Sequence, residues 1–245
     1  MSEVPATSSP SAESPGLSLP ARVWGILTSP RETFVDVAAR PRWFGMAALV
    51  LVVTAVCTGW FFSTQIGQTA WLDQLVEQAK KAGTEMPEAQ WATMQKMASY
   101  MGLIYAASTL LIAPIMWLII SGLLFVVFNA ALGGTATFKQ LFAVFVHSTA
   151  ITVVQQLFVT PLNYFRETIS SATNLSVFLP MLDESSFLAK FLGTIDLFLI
   201  WWIVILSIGL AVLFKRKTGP VATGLFVVYG VIAVIVAAFF GRGGA

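Results

Sequence analysis

Five long apolar runs divide the chain, and a helix needs about 20 such residues to cross a bilayer. The first, WFGMAALVLVVTAVCTGWFFS at 43–63, carries Trp43 and Trp60 near its ends, where aromatic rings anchor a span at the interface. The second covers about 102–128 and is interrupted by Pro114. The third covers about 138–162, the fourth about 188–214 and the fifth 220–240. Only KRKTG separates the last two, which predicts an antiparallel helical hairpin.

The polar segments between the runs have periodicity of their own. TAWLDQLVEQAKKAG sets Trp71, Leu72, Leu75, Val76 and Ala79 at helical spacing, which predicts an amphipathic helix on the outer interface. PEAQWATMQKMASYMG predicts a second helix running straight into span two, and NLSVFLPMLDESSFLAKF offers apolar residues around Pro180 suited to the same interface. Ahead of the first run lies LTSPRETFVDVAARPRW, at 27–43. Ser29 and Glu32 have capping-box spacing, Pro30 takes the first helical position, and Pro41 stops the helix. Phe34, Val37 and Ala38 then share a face, with Arg31, Glu32, Asp36 and Arg40 elsewhere. This helix is too short to span. It is predicted to lie in the inner headgroup layer, with Arg31, Glu32, Phe34 and Val37 as a candidate docking surface.

The expected architecture is an all-α membrane protein, a five-transmembrane-helix bundle with short amphipathic interfacial helices. Residues 1–19 form a disordered tail, 20–42 an interfacial amphipathic segment, 43–240 the five-span domain and 241–245 a C-terminal tail. Composition agrees: 57% of the 245 residues are hydrophobic and 11% charged, against about 25% charged in soluble domains. A net charge of +2 gives no reason to expect nucleic acid. A single cysteine, Cys57, allows no internal disulfide and no thiolate metal cluster. The opening MSEVPATSSPSAESPGLSLP has neither the basic nor the apolar region of a cleaved signal peptide. Its Ser, Pro and Glu content predicts disorder. With the N-terminus inside, eight Lys and Arg fall on the inner side and six on the outer, including the KRK cluster at 215–217. That predicts a cytoplasmic N-terminus and an outside C-terminus.

Three elements, in order, resemble the Yip1-domain membrane proteins. LTSPRETFVDVAARPRW is similar to that family's P-x-E-T-F element and its K/R-P-x-W approach to span one. GGTATFKQ, at 133–140, resembles the Gly-Gly, Thr-Phe-Lys element before span three, and its glycines permit a turn after span two while Thr137 and Gln140 have capping-box spacing. FLGTIDLFLIWWIVILSIGL, at 191–210, is similar to the Asp-x-Phe-x-x-Trp opening of span four and its later Gly-Leu. The resemblance implies a compact five-helix membrane bundle. Eukaryotic members are associated with Golgi and ER vesicle traffic, membrane shaping and small GTPases. This chain lacks their Asp-Leu-Tyr-Gly-Pro type of motif, so a GTPase partner does not carry over. It resembles the prokaryotic branch, whose function is not defined, and the implied location is a bacterial inner membrane.

Ionisable groups inside a membrane are expensive and are functional candidates by default. Asp196 and His147 qualify. Ser148, Thr152, Gln155 and Gln156 form a polar stripe beside His147, and Ser207 shares a face with Asp196. Together these seven residues are a candidate intramembrane polar cluster between spans three and four. Packing through hydrogen bonds is one reading of it, and a proton or solute pathway is the other. No catalytic residue is expected: there is no His-Glu-x-x-His pair, and His147 and Ser148 point about 100° apart on a helix. No cofactor or metal is expected either. Small residues four apart, at Ala55 and Gly59, Ser207 and Ala211, and Ala233, Ala237 and Gly241, suit close helix approach. The last stripe could serve a homo- or hetero-oligomer. Two functions stay open: a non-enzymatic membrane-organising or trafficking-related scaffold in contact with the lipid bilayer, and a small transporter or channel component using the polar cluster.

Overall fold

Two short helices, α1 (Leu19–Thr28) and α2 (Pro30–Ala39), precede the first apolar run in the computed structural model, which describes residues 16–240 apart from Ala82, Glu85, Pro180, Glu184 and Ser185. Most of the predicted N-terminal tail and all of 241–245 lie outside the described residues. Proline sits in the first turn of each helix, where its missing N–H is no loss. The capping box predicted at Ser29 does not form. Ser29 also closes α1, its N–H donating to the Gly25 carbonyl at 2.8 Å, and this holds it at φ −143°, ψ 63°, away from N-cap geometry. Thr33 ties the hairpin instead, donating its hydroxyl to the Ser29 carbonyl at 3.0 Å and packing against Gly25.

The first apolar run is α3 (Phe44–Ser63), followed by α4 (Gln65–Lys81) and α5 (Glu88–Ala98). A turn at Ser99 and Tyr100 separates α5 from α6 (Met101–Phe125), so that helix does not run straight into the span as predicted. A π-helical segment, Val126–Ala131, lengthens α6, and Gly133 turns the chain at a φ of +68° that favours glycine. Thr137 and Gln140 do form their predicted capping box and start α7 (Phe138–Ser148), which bends into α8 (Ala150–Arg166). Pro114 and Pro161 lie inside helices without ending them, a tolerance that membrane helices show.

The fourth apolar run is not one helix. It divides into α9 (Phe187–Thr194) and α10 (Leu197–Leu213), before α11 (Thr218–Ile235) and its π-helical end, Val236–Phe240. At 1.5 Å per residue α10 is about 25 Å long, short of the roughly 30 Å hydrocarbon core. Four helical stretches are long and apolar enough to cross a membrane: α3, α6 with its extension, α7–α8, and α11 with its extension. Asp196 causes the break by accepting from the N–H groups of Phe198 and Leu199, at 2.8 and 3.3 Å, which caps a new helix.

Helix α7 is the centre of the bundle. Residues 141–148 are all buried, against α2, α3, α6 and α10. The apolar face of α2 turns inward onto this centre, whereas its pattern predicts contact with lipid. Phe34 and Val37 are 0% exposed, and a Cβ added at Gly209 of α10 would lie 2.6 Å from Val144 and 2.9 Å from the Phe34 ring. The small-residue stripes are likewise spent internally. Gly59 meets Ala106 and Gly102 of α6, and Ser207 and Ala211 are buried. Ala233 and Ala237 are buried where the end of α11 meets α9, and Gly241 lies outside the described residues. Lipid-facing surface belongs chiefly to α6 and α11, through residues such as Leu111, Ile115, Val227 and Val231.

Phe34→Ala should therefore lower unfolding stability by about 3–5 kcal/mol, the cost of emptying a buried aromatic site. Val35→Ala, one residue along on the exposed face, should stay within about 0.5 kcal/mol. Chemical unfolding in detergent micelles compares the two; equal losses would place Phe34 outside the packed core.

Candidate functional site

Arg22 is a densely connected polar residue among the described ones and was invisible as a site in the pattern of apolar runs. It is 3% exposed. Its guanidinium reaches Asp36 of α2 at 2.7 and 3.0 Å, the Arg40 carbonyl at 3.0 Å and the Arg42 carbonyl at 3.3 Å. It also meets His147 Nε2 of α7 at 3.4 Å. Arginine can only donate, so Nε2 accepts and the ring proton sits on Nδ1, where it is donated to the Ala143 carbonyl at 2.7 Å. One side chain thus holds α1, the end of α2, the turn into α3 and the central helix. Gln140 adds a parallel link from α7, donating to the Ala38 carbonyl at 3.1 Å.

Asp36 completes the group. It accepts from Arg40 at 3.0 Å and from the Leu17 N–H at 3.4 Å. Burial pushes its pKa up, but the hydrogen bond and charge of Arg22, helped by Leu17 and Arg40, outweigh this and hold it below the usual carboxylate range. Stability drawn from this carboxylate is fully present above its unfolded pKa of about 3.9. It is lost as pH falls through that value and then through the lower folded one.

The seven residues of the predicted polar cluster do not come together as one group. His147 belongs with Arg22, buried beside Ser148, whose hydroxyl donates to the Phe145 carbonyl at 2.6 Å. Ser207 is spent in the same way on the Ile203 carbonyl, also at 2.6 Å, and Gln156 accepts from Thr160 at 3.1 Å. Asp196 stands apart at the α9–α10 break. Besides its own helix start it accepts from Ser171 at 3.2 Å and from Thr173. The chain at 173–175 pairs with the break like a strand, Leu175 N–H to Ile195 carbonyl at 2.9 Å and Leu197 N–H to Thr173 carbonyl at 3.0 Å. Tyr229 of α11 donates to the Thr194 carbonyl at 2.5 Å. Thr152 and Gln155 share a cleft with Asp196 but not with His147. Of the candidate docking residues, Arg31 and Glu32 are exposed, while Phe34 and Val37 are covered by protein.

Residues 24–240 match the Yip1 domain. The chain belongs to the Yip1 domain family. Comparison with curated proteins and with solved structures returned no match. With its apolar helices, this Yip1 domain is a multi-pass membrane protein. Each sequence element that carried the resemblance falls at a structural joint. In Pro30–Phe34 the last residue seats on Gly209, Thr137 caps the central helix, and Asp196 breaks the fourth apolar run. Arg22 lies just outside the matched span, and its one sequence signal is a lone cation in the apolar helix LPARVWGILT. Ser171, Thr173 and Tyr229 had no local signal, because their partner lies 23–35 residues away in sequence.

Replacing Arg22 by Met should cost about 2–3 kcal/mol, since it strips the part-buried Asp36 carboxylate of its main partner. Arg31→Gln, on the exposed face, should stay within about 0.5 kcal/mol. Thermal unfolding in micelles measures both. The wild type should also lose stability below about pH 4, and Asp36→Asn should flatten that part of the acid limb; an unchanged limb would show that Asp36 does not carry it.

Proposed function

We propose that this Yip1 domain is a non-enzymatic membrane-organising scaffold of five spans, with α9 and α10 together forming the fourth crossing. Its N-terminus is cytoplasmic and its C-terminus outside, in a bacterial inner membrane, as for the prokaryotic branch of the family. What carries the reading is how the two ionisable groups of the later apolar runs are spent. His147 holds Arg22 and the central helix, and Asp196 holds four donors at a helix break. Both act on backbone and packing. The partners expected are the bilayer and other membrane proteins, without nucleic acid and without a dedicated GTPase. The outer face of the α1–α2 hairpin supports contact with the inner headgroup layer, with Trp24 69% and Val35 58% exposed beside Arg31.

The 27 residues from Phe187 to Leu213 are enough in number for a crossing, which supports counting α9 and α10 as one span. Arg216 supports this side assignment: it donates to the Leu132 carbonyl at 2.6 Å, which keeps the 132 and 216 turns together. The Lys and Arg of 215–217 and of the N-terminal hairpin share that side in a five-span topology, as the positive-inside rule favours.

Reporter fusions after Lys217 and after Ala245 should report cytoplasm and outside respectively. A cytoplasmic signal at both would leave an even number of crossings and remove the five-span reading. In liposomes the purified protein should carry no solute flux. Reproducible flux abolished by Asp196→Asn, with the fold retained because Asn also caps helices, would replace the scaffold by the transporter.

A further inference from the structure

Charge is divided unequally between the two ends of the bundle. The end that holds the α1–α2 hairpin carries eight Lys and Arg, from Arg22 to Lys217, against Glu32 and Asp36. The segments of the other end, 64–100 and 166–190, carry five cations against seven acids. Within the hairpin much of the charge is matched, because Asp36 pairs with both Arg22 and Arg40. The unmatched charge sits at two adjoining turns. Lys139 lies in the first turn of α7, and Lys215, Arg216 and Lys217 link α10 to α11. All four are exposed. No Asp or Glu occurs between Glu88 and Glu167 or after Asp196, so no carboxylate lies near them in the chain.

Packing holds this group together. Arg216 donates to the Leu132 carbonyl at 2.6 Å, and a Cβ added at Gly134 would lie 2.6 Å from the Phe214 ring. Arginine has five donors, and this bond spends one of them. Like charges fixed at adjoining turns repel one another, and a bound anion relieves that cost. The surroundings say which anion. Leu132 and Phe138, next to these cations, are exposed apolar side chains, and the apolar helices α6, α10 and α11 end or begin at these turns. Cations at the ends of membrane helices lie at headgroup depth. A soluble anion would leave the neighbouring apolar surface in water, whereas a lipid covers both.

We infer that Lys139, Lys215, Arg216 and Lys217 bind the phosphate groups of anionic phospholipids in the leaflet they face. This names a lipid class for the bilayer contact of the scaffold reading and rests on that contact. It does not rest on the number of crossings or on which end is cytoplasmic, because the Arg216 bond keeps the two turns together in either case. Topology and flux tests can therefore fail while this binding stands.

A basic residue near an anionic surface strengthens attraction about fivefold. The full chain, in nanodiscs of equal phosphatidylglycerol and phosphatidylethanolamine released for native mass spectrometry, should retain the anionic lipid in about fivefold excess or more. Lys139→Gln, Lys215→Gln and Lys217→Gln together spare the Arg216 bond and should bring the two lipids close to equal retention. Lys80→Gln with Lys96→Gln, at the acid-balanced end, should leave the excess unchanged. The wild type alone supplies a second readout. In vesicles, the immobilised fraction of spin-labelled phosphatidylglycerol should fall as salt is raised to molar levels, since exposed charges are screened. Equal retention by the wild type, an undiminished excess in the triple variant, an equal loss in the Lys80 and Lys96 variant, or an immobilised fraction indifferent to salt would each overturn the proposal. Displacement of the lipid by millimolar glycerol phosphate would overturn it too, by making the site one for a soluble anion.

Discussion

The fold hangs on a buried guanidinium. Arg22 brings a full positive charge to 3% exposure, and such a charge is stable only where its donors are used. Asp36 supplies the countercharge, while the carbonyls of Arg40 and Arg42 and the ring of His147 take most of the remaining donors. Those partners lie on α2, on the turn into the first span, and on the central helix. The N-terminal hairpin is therefore a fixed part of the membrane bundle. Phe34 and Val37 can bury their whole surface only because this group sets where α2 lies.

A second constraint acts at the other end of the molecule. Breaking a helix in lipid exposes backbone groups that have no water to meet. The break between α9 and α10 is tolerated because the 173–175 segment supplies backbone partners, Asp196 caps the restarted helix, and Tyr229 takes the Thr194 carbonyl. An acid in an apolar run thus becomes a joint. His147 and Asp196 are far apart in role: one secures the hairpin to the core, and the other secures a loop to the start of α10.

These two joints leave the α6 wall comparatively free. Helix α6 is held along α3 and by α7, and much of the rest of its surface is exposed. Close approach at Gly59 and Gly102 sets the α3–α6 crossing, and further along α6 residues 108–120 line a cleft together with Thr54 of α3.

The apolar runs alone determined that the chain is helical and membrane-embedded, because bilayer thickness sets a length that composition either meets or does not. Local chemistry was equally legible at Thr137 and Gln140, where both halves of the capping box lie three residues apart, and at Gly133. It misled at Ser29, where the residue must close one helix and open the next, and φ and ψ cannot satisfy both. Amphipathic spacing in α2 showed that Phe34 and Val37 share a face but not what covers it, since protein and lipid are both apolar. The same limit applies to Arg22, His147 and Asp196. Their cost in the membrane is written in the sequence, but their partners lie 14 to 125 residues away. Only the packing of distant helices decides which charge meets which acceptor, because hydrogen bonds act over a few ångströms of space and take no account of distance along the chain.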